Sequence, residues 1–95
     1  MKALYDSRAD ALQIDLEQVE LVDEDVDVTG SCTVALAGGR VVGVELLAPA
    51  HRLGALAVAA DRYDLDRQAL EAAARAALAA PDRQVTVDVA AEVAA

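Results

Sequence analysis

Four side chains in this sequence could share acid–base work: the Tyr5 phenol, the carboxylates of Asp10 and Glu45, and the imidazole of His51. His51 is the only histidine, and a general base needs a cleft and a carboxylate to orient its ring. Glu45, at the end of a strand-like run, could be that carboxylate. Tyr5 and Asp10 would join it if the first strand lay beside the Glu45 strand. Such a corner would suit a small ligand or a small enzyme, although a histidine beside Arg52 near a sheet-to-helix junction is more often a plain surface residue. The remaining chemical inventory is thin. Ser7 and Ser31 lack a neighbouring base, and no nucleophile elbow is present. One histidine, one cysteine and scattered acids give no zinc spacing. The stretch "DEDVD", Asp23 to Asp27, lacks the glycine and closing glutamate of a calcium loop, and "AGGR" is not followed by the lysine of a phosphate loop. The sequence therefore assigns no catalytic residue, no metal and no cofactor. Cys32, among Thr33, Val34 and Leu36, reads as a small buried apolar side chain, since no local cation would activate its thiol.

Carboxylates are the abundant chemistry. The net charge is −9, and the first 30 residues hold nine acids against two bases, Lys2 and Arg8. Glu17, Glu20, Asp23, Glu24, Asp25 and Asp27 form an acidic face suited to a basic protein partner, because complementary charge speeds encounter and rejects wrong partners. The same charge repels phosphate backbones and anionic lipid, which argues against nucleic acid and membrane. The two helical segments around "YDLD" resemble a DNA-reading pair only in outline, and the chain is acidic throughout. No basic-plus-apolar leader or long apolar run is visible, so the chain is expected to be cytoplasmic.

The elements that must position these groups follow from hydrophobic period. Met1 to Tyr5 is a short strand; Leu12, Ile14 and Leu16 alternate with Gln13, Asp15 and Glu17, the mark of a half-buried strand. Between them "DSRAD" is a turn bracketed by Asp6 and Asp10, in which Asp6 accepts from backbone N–H groups one turn on and the Tyr5 hydroxyl finds a partner. Weaker strand pieces fall at Val19 and Leu21 and at Val26 and Val28. Two stronger ones follow, at Cys32, Val34, Leu36 and at Val42, Val44, Leu46. A two-residue Gly38–Gly39 loop between these would pair Leu36 with Val41 and Val34 with Gly43, placing the apolar rows on opposite faces. The expected connection is therefore a three-residue loop, Gly38 to Arg40, with a glycine bulge, pairing Leu36 with Val42 and Val34 with Val44.

After Pro49 the period becomes helical. Leu53, Leu56, Ala57, Ala60 and Tyr63 mark one helix. A second begins at Asp66 as N-cap, with Leu65 stapled on Leu70, a Glu71–Arg75 pair and a stripe of Leu70, Ala74, Ala77 and Leu78, and ends before Pro81. Val85, Val87 and Val89 predict a last strand returning to the sheet, and residues 90–95 a frayed end.

The 95 residues make a single domain over 1–95, a sheet core over 1–48 and a helical extension with the last strand over 49–95. The predicted class is α+β: an antiparallel, meander-like sheet of five or six strands with two helices on one face. The row Leu12, Ile14, Val34, Val44 and Leu46 is buried against Leu56, Leu70 and Leu78. Of the apolar residues 23 are alanine and none is Phe or Trp, so the core is modest, and a homodimer, through a sheet edge or the alanine-rich helix, would add to it.

Two blocks of sequence resemble a small bacterial family, domain of unknown function 2283. Its pattern is a Tyr-Asp, a turn containing Ala-Asp-Ala-Leu, a strand, an acidic stretch and a glycine hairpin leading into Val-Gly-Ile-Glu-Ile. Tyr5, Asp6, Ala9, Asp10, Ala11, Leu12 and Ile14 match the first block; Gly39, Val42, Gly43, Val44, Glu45 and Leu46 match the second. The likeness covers about residues 2–50. It departs at "AGG", where the family carries an acidic turn one residue longer, and residues 52–95 lie outside it. The resemblance implies an antiparallel β domain without an established activity and an antitoxin-like, partner-binding role.

Overall fold

The computed structural model describes residues 1–87; Val89 and the alanine-rich end at 90–95 lie outside them. The chain is α+β. Its strands are β1 (Lys2–Asp6), β2 (Ala11–Asp15), β3 (Glu24–Asp27), β4 (Cys32–Ala37), β5 (Arg40–Leu47) and β6 (Val85–Thr86). Three helices, α1 (Pro49–Arg52), α2 (Gly54–Tyr63) and α3 (Arg67–Ala79), lie between β5 and β6.

The six strands form one antiparallel sheet in the order β3-β4-β5-β2-β1-β6. The β1–β2 hairpin and the β3–β4–β5 meander meet where β2 pairs with β5, Leu12 opposite Leu46 and Ile14 opposite Val44. The connection from β2 must therefore pass β5 and β4 to reach β3, as in a Greek key. For that reason Val19 and Leu21, expected in a strand, lie in the connection, where Val19 is half-buried and Leu21 exposed.

The β4–β5 hairpin corrects the expected loop. Gly38 and Gly39, at φ 59° and 80°, form a two-residue turn closed by Ala37 and Arg40. Both positions need the left-handed backbone that glycine adopts at little steric cost. Leu36 does pair with Val41, but the register shifts between Ala35 and Leu36, so that Ala35 faces Gly43 and Val34 faces Val44. Val42 is the extra, bulged residue. The bulge restores the alternation that a two-residue turn alone would have inverted.

One face of the sheet is covered. Ala3, Leu12, Ile14, Cys32, Val34, Val44 and Leu46 project from it into a core shared with Leu56, Ala59 and Ala60 of α2 and Leu70, Ala73, Ala74 and Ala77 of α3. The expected row is buried except Leu78, which is half-buried and outside this cluster. Alanines at 69, 73, 74 and 77 carry the inner face of α3, because small side chains let a helix approach closely. The face with Ala69, Ala73, Ala74 and Ala77 is thus occupied within the domain. Asp66 caps α3 by accepting from the Ala69 N–H at 3.1 Å. Glu71 pairs with Arg67 at 2.8 Å more closely than with Arg75 at 3.7 Å. Cys32 is buried, and burial pushes its thiol up, the Asp27 charge adding to the effect.

Candidate functional site

The opening turn is held together by its own side chains. Asp6 Oδ1 accepts from the N–H groups of Arg8 and Ala9 at 3.0 and 3.3 Å. The Tyr5 hydroxyl donates to Asp10 Oδ1 at 2.7 Å, and Asp10, at φ 50°, accepts the Ala48 N–H on its carbonyl at 2.9 Å. The bond to Asp10 raises the Tyr5 pKa, because only the protonated phenol can donate it. Tyr5 packs against the core as the partner of Leu12. Glu45 neighbours core-facing Val44 and Leu46 and is exposed on the opposite face, where it pairs with Gln13 and Thr33. His51 is exposed on α1. Tyr5 and Asp10 are brought together; Glu45 is on the other side of the sheet, so the four groups do not form one corner.

A residue the sequence reading passed over completes the turn. Asp82, which follows α3 and sits at φ 61°, accepts from Ser7 N–H at 2.9 Å and Ser7 Oγ–H at 2.6 Å, and its own N–H donates to the Tyr5 carbonyl at 2.8 Å. This links the first hairpin to the segment entering β6. The two Ser7 bonds hold the Asp82 carboxyl below its ordinary value of 3.8. Its folded pKa is depressed, so its stabilisation is present above that ordinary value and lost as pH falls through the folded one. Asp82→Asn, which tolerates the same backbone, should therefore lower the thermal midpoint at neutral pH. The gap from the parent should close on acidification below about pH 4. A gap that stays constant across the acid range would show that the carboxylate charge is not what Ser7 uses.

The acidic stretch divides in two. Glu17 takes a two-pronged contact from Arg40, Nε to Oε2 at 2.8 Å and Nη2 to Oε1 at 2.7 Å, and the guanidinium holds its carboxyl below the usual range. Asp23 Oδ2 accepts from Gly38 N–H at 2.7 Å, and Asp27 Oδ1 from Gly30 N–H at 2.8 Å. These three carboxylates brace hairpin tips. Glu20, Glu24 and Asp25 are exposed.

The helix-free face of the sheet gathers further carboxylates. Registers place Lys2, Asp15, Gly43, Ala35 and Asp25 in one row across it, and Leu4, Gln13, Glu45, Thr33 and Asp27 in the next. Asp15, Asp25, Asp27 and Glu45 face a single base, Lys2, in these rows. Small side chains at Thr33, Ala35 and Gly43 leave a depression of about 190 Å³ bordered by Gln13, Asp25 and Glu45. A Cβ on Gly43 would meet Gln13 Nε2 at 3.1 Å, so the glycine leaves room for a side chain that also donates to Asp15 Oδ1 at 3.1 Å. Asp15 was absent from the acidic face expected from sequence, though its strand parity was the signal that could have placed it there. Among the described residues no three metal-binding side chains cluster, and no helix is long and apolar enough to cross a membrane. Comparisons with protein-family models, curated proteins and solved structures return no match for this chain.

Proposed function

We propose that this domain is a non-catalytic interaction module that binds a basic protein on its helix-free sheet face, in the cytoplasm. The observation that carries the reading is the pair of rows holding Asp15, Asp25, Asp27 and Glu45 around a shallow depression, on the side opposite the helices. An antiparallel sheet can leave one face to solvent, but carboxylates gathered there attract a cationic surface and repel anionic ones. The likeness of residues 2–50 to the domain of unknown function 2283 family supports an antitoxin-like form of this role, with the partner a basic protein.

The test uses a variant that removes charge and leaves the turns braced. Neutralising residues 23, 24, 25 and 27 together would also disturb the carboxylates that hold Gly38 and Gly30. Asp15→Asn, Asp25→Asn and Glu45→Gln change only the open face. The parent should retain a stoichiometric basic protein from host lysate at low salt and release it at high salt, since exposed charge contacts are screened. The triple variant should fail to retain it. Equal retention of that protein by both baits would remove the proposal.

A further inference from the structure

We propose that the docking mode is strand addition: the outer edge of β3 accepts an extended, antiparallel segment with basic residues two apart, opposite Asp25 and Asp27. This rests on the acidic-module reading above and adds the site, the backbone geometry and the sequence pattern of the partner.

The backbone phase can be read from either side of β4. Val28 N–H donates to the Cys32 carbonyl, while on the far side Leu47 N–H donates to the Ser31 carbonyl. Antiparallel bonding alternates residue by residue, so Cys32, Val34 and Leu36 bond towards β3, and Ser31, Thr33 and Ala35 towards β5. Within β3, Glu24 and Val26 then spend their backbone groups on β4. Asp25 and Asp27 direct theirs outward, and β3 is the terminal strand of the sheet. Exposed edges are commonly blunted by lysine, proline, a bulge or a covering segment; β3 reads Glu-Asp-Val-Asp, and among the described residues it carries only negative charge as a guard.

That charge chooses the occupant. A second copy pairing edge to edge would set aspartates against aspartates, and like charges directly opposite are destabilising. A lysine or arginine opposite each of Asp25 and Asp27 reverses the sign. Those residues' side chains would lie on the open face, extending the two rows that contain Asp15 and Glu45. The intervening residue would fall opposite half-buried Val26 on the helix side, where an apolar side chain fits. The pattern is basic–apolar–basic. The opposite edge offers no such selectivity, since β6 is Val85–Thr86.

The probe is a short synthetic peptide of alternating lysine and valine, titrated into the isotope-labelled full chain and followed by amide exchange and chemical shift. Two backbone-methylated versions separate the modes. In strand addition the lysine N–H groups point at β3 and the valine N–H groups point away. Methylating the lysine nitrogens should weaken binding about tenfold or more, and methylating the valine nitrogens should leave it intact, with Asp25 and Asp27 amides slowed in exchange. Equal binding of both methylated peptides, with shifts centred on Gln13, Gly43 and Glu45, would overturn strand addition while leaving the acidic-face reading. Absence of binding by the unmethylated peptide would overturn both.

Discussion

Leu46→Ala should cost about 2–5 kcal/mol of folding stability, a large share of the roughly 5–15 kcal/mol that a domain has. Leu46 is 0% exposed near the C-terminal end of β5, between Leu12 of β2 and Cys32 of β4. Its surroundings are rich in alanine and contain no Phe or Trp. Short side chains cannot reach into the cavity that truncation leaves, so relaxation recovers little of the lost packing. Leu47, next in the chain, is 44% exposed on the other face, and Leu47→Ala should be close to neutral. Denaturant midpoints for the two variants check the argument, and similar losses would mean that the helices do not seal this face. Below its own transition, Leu46→Ala should still bind whatever the open face binds, because the deleted atoms lie on the opposite side of the sheet.

The two faces were legible in the sequence wherever one residue alternated with the next. Leu12 and Ile14 against Gln13 and Asp15, and Val44 and Leu46 against Glu45, predicted the rows that the structure pairs. What alternation cannot carry is which strand lies beside which. The pairing of β2 with β5 joins residues some thirty positions apart, and nothing local in either strand records it. The hairpin at Gly38–Gly39 was illegible for a related reason. An unbroken ladder with both rows on one face needs a three-residue loop, and the doublet Val41–Val42 before Gly43 is the local mark of a residue out of phase.

The candidate site was legible in part. Asp6 was expected to hold backbone N–H groups of the opening turn and the Tyr5 hydroxyl to find a partner; Asp6 accepts from Arg8 and Ala9, and the partner of Tyr5 is Asp10. The corner of Tyr5, Asp10, Glu45 and His51 is split by parity, which the sequence contained: Tyr5 is in phase with Ala3, and Glu45 is out of phase with Val44 and Leu46. Asp82 could not have been found that way. Its contact with Ser7 spans 75 positions, and only the path of α3 brings the two together. The acidic stretch looked uniform because charge alone does not tell a carboxylate that braces a glycine N–H from one that faces solvent.

Deletion of single residues separates a ladder with slack from one without it. Removing Gln13 should abolish the folded state. β2 pairs without interruption on both sides, with β1 and with β5, so a one-residue slip turns every following side chain over. With Leu12 kept in place, Ile14 would move to the open face, forfeiting about 1.5–3 kcal/mol of burial, and the Asp15 carboxylate would turn into the core at a cost of several kcal/mol. Removing Val42 should be survived. The pairs Leu36–Val41 and Ala35–Gly43 would become consecutive, Val44 and Leu46 would keep their faces, and the Val41 carbonyl would stand where Val42 now accepts from Leu16 and Glu17 N–H groups at 2.9 and 3.2 Å. The variant loses a buried valine and should unfold earlier, yet in one cooperative transition and with a dispersed amide spectrum. A collapsed spectrum for the Val42 deletion, or a folded one for the Gln13 deletion, would mean that the bulge is not what reconciles the two-glycine turn with the buried row.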